Sequence, residues 1–134
     1  AFDKYLIEAY KKLGDVAKGI DFPECAELIH NANGYVVLAH PVSLELSKSG
    51  LERKIEYLVD NGLDGIEVYH SSHTIEEMNF YLEVAKKYNL LISGGSDYHG
   101  LKVKPDIDLG TGKGHNLKIK SLSLVDYINA NKNN

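Results

Sequence analysis

The stretch Ile92-Ser93-Gly94-Gly95-Ser96-Asp97-Tyr98-His99-Gly100 carries the strongest structural signal in the chain. It continues an apolar run that begins at Leu90 and is typical of a buried strand, and it then changes to glycines. Asp97 and His99 follow two residues apart, so in extended backbone their side chains leave the same side. A carboxylate and an imidazole so placed can bind one hard or borderline divalent cation, and glycines permit a sharp turn beside it. The stretch therefore predicts half of a metal site.

A second strand end of the same kind lies earlier, at Val36-Val37-Leu38-Ala39-His40-Pro41. The apolar run ends in His40, a ligand-type side chain, and Pro41 stops the strand because it has no N–H to donate. Parallel strands bring their C-terminal ends to one edge of a sheet. We therefore predict that His40, Asp97 and His99 approach one another in space as metal ligands.

Strand and helix patterns alternate along the chain. Amphipathic helices are predicted at 2–13 and 23–31 and in the segments that follow Ser49, Thr74 and Ser123; strands are predicted at 35–39, 66–69 and 90–93. The S/T-x-x-E patterns that begin at Ser49 and Thr74 are typical of capping boxes. This order predicts an α/β fold of parallel strands with right-handed crossover helices. Three such units are too few to close an ordinary barrel.

Several short motifs, taken together and in order, resemble the PHP phosphoesterases, the polymerase and histidinol phosphatase superfamily. The pair VLAHP at 37–41 and GSDYHG at 95–100 resembles the last two motifs of that family. The segments AFDKYL at 1–6, DGIEVYHSSHT at 64–74 and LGTGKG at 109–114 are similar to its TrpH-like branch. The resemblance covers nearly the whole chain.

This resemblance implies the latter part of a distorted (β/α)7 barrel and a divalent-metal-dependent phosphoesterase. Its implied substrates are nucleotide phosphate esters such as 3′,5′-bisphosphonucleotides, or the 5′ ends of short RNA. The ions would be Mn, Zn, Fe or Mg, held by His40, Asp97, His99 and ligands from elsewhere. Such ions polarise a phosphoryl oxygen and lower the pKa of a coordinated water toward ~7.

One departure from the family pattern concerns the N-terminal ligands. Family members open with a His-x-His motif followed by an Asp, whereas no two of the six histidines here are spaced i, i+2. We therefore expect residues 1–134 to be a single domain, the C-terminal portion of a PHP domain that lacks those motifs and is inactive alone. Strand edges exposed by such a truncation would favour dimer formation.

Three further polar residues, Glu67, His70 and His73, accompany the middle strand and are candidates for substrate binding. Glu67 interrupts an apolar strand, and it either faces the interior to orient a ligand or faces water. His70 follows the strand at its C-terminal end. His73 precedes the predicted N-cap Thr74, where the N–H groups of a helix start favour phosphate.

Composition limits the remaining possibilities. The chain has 134 residues, 43% of them hydrophobic, and its formal net charge of −4 argues against a broad basic face for nucleic acid. A local lysine excess between 102 and 120 is either a solvated loop or a rim that attracts phosphate. The single Cys25 fits a reducing compartment, and no apolar stretch is long enough for a membrane span, so we expect a cytoplasmic protein.

Two other functions stay open from the residues alone. The first is a catalytically silent PHP-type domain that makes protein contacts. The second is an amidohydrolase-like metal hydrolase that cleaves C–N bonds, since strand-end His and Asp also serve that chemistry.

Overall fold

The computed structural model describes residues 19–131. The elements in chain order are α1 (Phe22–Asn31), β1 (Val37–Leu38), a 3₁₀ helix (Pro41–Leu44), α2 (Lys48–Asp60), β2 (Gly65–His70), α3 (Ile75–Lys87), β3 (Leu91–Gly95), β4 (Ile107–Asp108), β5 (Gly112–Lys113) and α4 (Ser123–Asn131). The helix predicted at 2–13 lies outside the described residues.

The central feature is a three-stranded parallel sheet in the order β1-β2-β3. Helices α2 and α3 connect its strands, which confirms the predicted α/β fold with crossover helices. Ile66 and Val68 of β2 are fully buried and pack with Ile55 of α2. The hydrophobic core therefore lies around the middle strand, and all three strands end at one edge.

The first strand is shorter than predicted, two residues instead of five. The residues that flank β1 form hydrogen bonds with side chains and do not extend the strand pairing. The Val36 N–H donates to Asp64 Oδ2 at 2.7 Å, and the His40 N–H donates to Glu67 Oε2 at 2.6 Å. Polar side chains thus replace the strand pairing at both ends of β1.

The helix starts follow cap chemistry, with one correction. Thr74 and Glu77 form the predicted capping box of α3. The cap of α2, however, is Ser47, whose Oγ accepts from the Gly50 N–H at 3.2 Å, so the prediction of Ser49 was wrong. Ser47 is extended (φ −61°, ψ 157°), as an N-cap must be, and the helix begins directly after it.

The segment after β3 contains an antiparallel hairpin, β4–β5, that the sequence did not predict. Residues 117–119, which follow the hairpin, form no regular element. Gly112 has φ +77°, and a Cβ there would lie 2.8 Å from Ser71 Oγ, so only glycine lets the hairpin approach the end of β2 closely. The hairpin is therefore packed against the edge where the strands end.

Within residues 19–131, no helix combines the length and apolar character needed to cross a membrane.

Candidate active site

His70 lies at the centre of the strand-end cluster. It ends β2 and is only 4% exposed. The Ser72 N–H donates to its Nδ1 at 3.1 Å, so a neutral His70 carries its proton on Nε2. That Nε2 is buried without a hydrogen-bond partner and lies 3.6 Å from Asp97 Oδ2. His70 thus presents an unused donor toward the carboxylate.

Asp97 follows β3 with a left-handed backbone (φ 59°), which turns its carboxylate toward the other strand ends. His99 Nδ1 lies 3.4 Å from Asp97 Oδ1, and Lys104 Nζ forms an ion pair with Oδ2. Partial burial raises the pKa of the Asp97 carboxyl, but the hydrogen bond and charge of Lys104 outweigh it, so the net pKa is below the ordinary value. The carboxylate is therefore ionised at neutral pH and paired with the Lys104 ammonium.

The ring of His99 is held by the backbone through one of its two nitrogens. Its Nδ1–H donates to the backbone carbonyl of Asp97 at 2.7 Å, and this leaves the lone pair of Nε2 free. Metal-binding histidines commonly hold their other nitrogen in this way. The ring is half exposed, so Nε2 is accessible from solvent.

His40 stands on the other side of His70, with ring centroids 5.6 Å apart. Its backbone is left-handed (φ 29°, ψ 63°), an unusual conformation for a non-glycine residue. The hydrogen bond from its N–H to Glu67 Oε2 holds this turn, and Ser43 Oγ lies 3.0 Å from its Nδ1. Glu67, expected to contact substrate or water, here positions the backbone of His40.

His73 lies behind His70 rather than at the surface. Its ring centroid is 5.0 Å from that of His70 and 4.9 Å from that of Tyr81, and it is 4% exposed. Burial lowers the pKa of His73, so the ring is neutral at pH 7, and its Nδ1–H donates to Val68 O at 2.8 Å. Burial also raises the pKa of Tyr81 to about 12.

A cavity of about 390 Å³, here called the strand-end pocket, opens in front of His70 and Asp97. Its other walls are serines of the two strand ends and residues of the following loop and hairpin: Ser71, Ser72, Ser96, Lys104, Asp106, Ile107 and Lys113. Ser71 Oγ–H donates to Ser96 O at 2.6 Å and joins the ends of β2 and β3. The pocket presents charged and hydroxyl side chains, and this hydrogen bond joins two of its walls, which suits a charged ligand.

Curated proteins similar to the chain include two phosphodiester-cleaving enzymes. A phosphoribosyl 1,2-cyclic phosphate 1,2-diphosphodiesterase of Eggerthella lenta is 36% identical over 81 residues, 60% of this chain and 29% of that protein. The 5′-3′ exoribonuclease Rnm of Salmonella typhimurium is 33% identical over 110 residues, 81% of this chain and 36% of that protein. No family model matches the chain.

The solved structures that resemble this chain also include a phosphoesterase. A Bifidobacterium adolescentis protein assigned as a metal-dependent phosphoesterase matches with a TM-score of 0.57 and 31% identity, over 77% of this chain and 39% of that one. This chain is a homologue of the PHP phosphoesterases. An amidohydrolase of Chromobacterium violaceum, solved with bound sulfate and no metal, matches with a TM-score of 0.69 and 25% identity, over 83% of this chain and 37% of that one.

The chain spans about a third of the length of these PHP relatives. Among residues 19–131, no three or more His, Cys, Asp or Glu side chains are arranged to hold a metal ion. The donors that are present nevertheless suit a divalent cation in chemistry: an ionised carboxylate at Asp97 and a free imidazole lone pair at His99. The structure therefore offers a chemically suitable but numerically incomplete ligand set.

The PHP motifs identified Asp97 and His99 from the sequence, but not Lys104. Its only sequence signal was the local lysine excess between 102 and 120, which does not distinguish one lysine from another. The distance from Asp97 to Lys104 depends on the turn at Gly100, where the Lys104 N–H donates to Gly100 O at 3.0 Å. Only the folded loop shows this partnership.

Proposed function

We propose that the protein to which this chain belongs is a divalent-metal-dependent phosphoesterase. The observation that supports this best is the ionised Asp97 carboxylate at the end of β3, with His70 and His99 nitrogens 3.6 and 3.4 Å from its oxygens. Proposed substrates are 3′,5′-bisphosphonucleotides or the 5′ ends of short RNA. The similarity to a 5′-3′ exoribonuclease and to a cyclic phosphate diesterase supports a nucleotide-type phosphate ester.

Within this proposal, Asp97, His99 and His40 hold the cation. A bound divalent ion, whether Mn, Zn, Fe or Mg, would polarise the phosphoryl group and acidify the attacking water. Glu67 fixes the turn that presents His40, through the 2.6 Å hydrogen bond from the His40 N–H.

His70 has a different role from the ligands. Because its neutral ring carries the proton on Nε2, it offers a hydrogen bond rather than a lone pair. A phosphoryl oxygen in the strand-end pocket would accept that hydrogen bond and satisfy a buried donor that has no partner within the described residues. We therefore assign His70 to substrate binding, and His73 to support of the His70 ring from behind.

The ligand set is completed, in this proposal, by residues outside the chain. The chain spans 29% and 36% of two relatives and contains no His-x-His motif. Catalytic metal sites need enough protein ligands to fix geometry while leaving a position for water. We propose that residues 1–134 are the C-terminal portion of a PHP domain.

A second candidate is C–N hydrolysis, and the similarity to the amidohydrolase of Chromobacterium violaceum favours it. Both chemistries use strand-end His and Asp ligands, so geometry alone does not separate them.

The test is elemental analysis of the longer protein combined with turnover of three substrates after loading with manganese. The substrates are a 3′,5′-bisphosphonucleotide, a 5′-phosphorylated short RNA and an amide such as an N-acyl amino acid. We expect bound metal and phosphate-ester turnover, with far slower turnover by the 134-residue chain alone. Metal-free protein without turnover would support a silent domain, amide turnover alone would support the amidohydrolase, and equal turnover by the short chain would refute the divided site.

A further inference from the structure

Lys104 stands out among the residues of the strand-end pocket because it occupies the carboxylate that a cation would need. Its Nζ pairs with Asp97 Oδ2, and both side chains are partly buried, at 37% and 26% exposure. The backbone of Lys104 is fixed by the turn at Gly100, whose carbonyl accepts its N–H at 3.0 Å. Only the flexible side chain needs to move for the ammonium to change partner.

We propose that Lys104 exchanges between Asp97 and a phosphate group in the strand-end pocket. Its ammonium neutralises the Asp97 carboxylate when no cation is there, and it binds a phosphate oxygen once the carboxylate is engaged elsewhere. The inference rests on the proposed function only in naming a divalent cation as the competitor for Asp97.

Electrostatics supports a change of partner rather than a permanent contact. A dication at Asp97 repels the neighbouring ammonium and competes for the same oxygen, so the ion pair and the cation exclude each other. The released ammonium still lines the pocket and carries three donors, which suit phosphate oxygens. A phosphate in the pocket gains little from Lys104 while Asp97 holds the ammonium, because the Asp97 carboxylate also repels the phosphate.

The other lysine of the pocket does not have this property. Lys113 Nζ pairs with Asp106 Oδ2 at 2.8 Å, and these side chains are 66% and 56% exposed. Surface pairs of this kind are strongly screened and contribute little. The ion pairs with His70 and His99 are made by Asp97 and not by Asp106, so we assign the exchange to Lys104.

A measurement without metal tests whether the released Lys104 ammonium binds phosphate. Asp97→Asn releases Lys104 without any cation, so inorganic phosphate should bind this variant about 5- to 10-fold more tightly than wild type in calorimetry with a chelator present. The double variant Asp97→Asn with Lys104→Met should return to wild-type affinity. A matched double variant with Lys102→Met, which removes the same charge from an exposed position in the same loop, should keep the gain.

The outcomes separate clearly. Equal phosphate affinity of the Lys104 and Lys102 double variants would overturn the proposal, as would the absence of phosphate binding by Asp97→Asn. Circular dichroism of each variant establishes that it is folded.

Manganese titration of the 134-residue chain, followed by electron paramagnetic resonance, tests whether Lys104 and a divalent cation compete for the Asp97 carboxylate. Lys104→Met should bind Mn²⁺ about 2- to 5-fold more tightly than wild type, whereas Lys102→Met should not. Equal affinity of wild type and Lys104→Met would overturn the exchange alone. No Mn²⁺ binding by any variant of the 134-residue chain would overturn the competition for Asp97, whereas the metal site of the proposed function is decided separately by elemental analysis of the longer protein.

Discussion

His70 and His73 show how burial separates two neighbouring imidazoles into different roles. Both are 4% exposed. In each ring, Nδ1 is hydrogen-bonded to the backbone of a nearby residue, and Nε2 is buried without a hydrogen-bond partner among residues 19–131. The Nδ1 of His70 accepts a hydrogen bond and that of His73 donates one. The free nitrogen is therefore a donor in His70 and an acceptor in His73.

The lowered pKa of His73 predicts a pH-dependent stability. In the unfolded chain this histidine titrates near 6.5, and in the folded chain burial holds its pKa below that value. The unfolded state therefore binds more protons as the pH falls through 6.5, and folding stability decreases. Urea denaturation should show wild type losing stability between pH 7.5 and 5.5, with a smaller loss for His73→Gln.

The matched control is His115→Gln, which removes an exposed histidine. It should keep the wild-type pH dependence. Identical slopes for wild type and His73→Gln would mean that the ring is not held neutral by the fold.

At the scale of elements, the start of α2 provides a direct comparison of two serines. Ser47 caps the helix through the 3.2 Å bond from the Gly50 N–H, whereas Ser49 lies within its first turn. Ser47→Ala should lower the free energy of unfolding by about 1 kcal/mol, measured by urea denaturation. Ser49→Ala should change it by a few tenths of a kcal/mol at most. A larger loss for Ser49→Ala would reinstate the capping box predicted there.

The predictable elements are those whose signals are local. Thr74 and Glu77 form a reciprocal box between residues three apart in the sequence, and the start of α3 was predicted correctly from it. Ser49 has the same spacing to Glu52, but a competing serine two residues earlier provides the cap. The β4–β5 hairpin has two residues in each strand, too few for any periodicity, and its position depends on the close approach of Gly112 to Ser71.

At the scale of the whole molecule, parallel topology is what assembles the site. His70 is the last residue of β2, whereas His40 and Asp97 follow shortly after the ends of β1 and β3, and the order β1-β2-β3 places His70 between the other two. The sequence predicted that these strand ends meet. It did not predict that His70 would be the central residue, because lateral strand order is a property of the folded sheet.

The outer strands of the sheet, β1 and β3, each have one strand neighbour within it. The dimer expected from such edges stays a prediction that nothing in residues 19–131 supports. In a longer PHP domain, further strands would pair there and bring additional ligands to the same edge.

The most direct test of this account is the affinity of the chain for Mn²⁺, measured by electron paramagnetic resonance in wild type and two variants. If Asp97 is the carboxylate at which the strand ends share a cation, Asp97→Asn should weaken binding at least about 10-fold while the fold persists. Asp108→Asn, which removes an exposed carboxylate from β4, should bind as wild type does. An Asp97→Asn chain that binds Mn²⁺ with the stoichiometry and affinity of wild type would contradict the account.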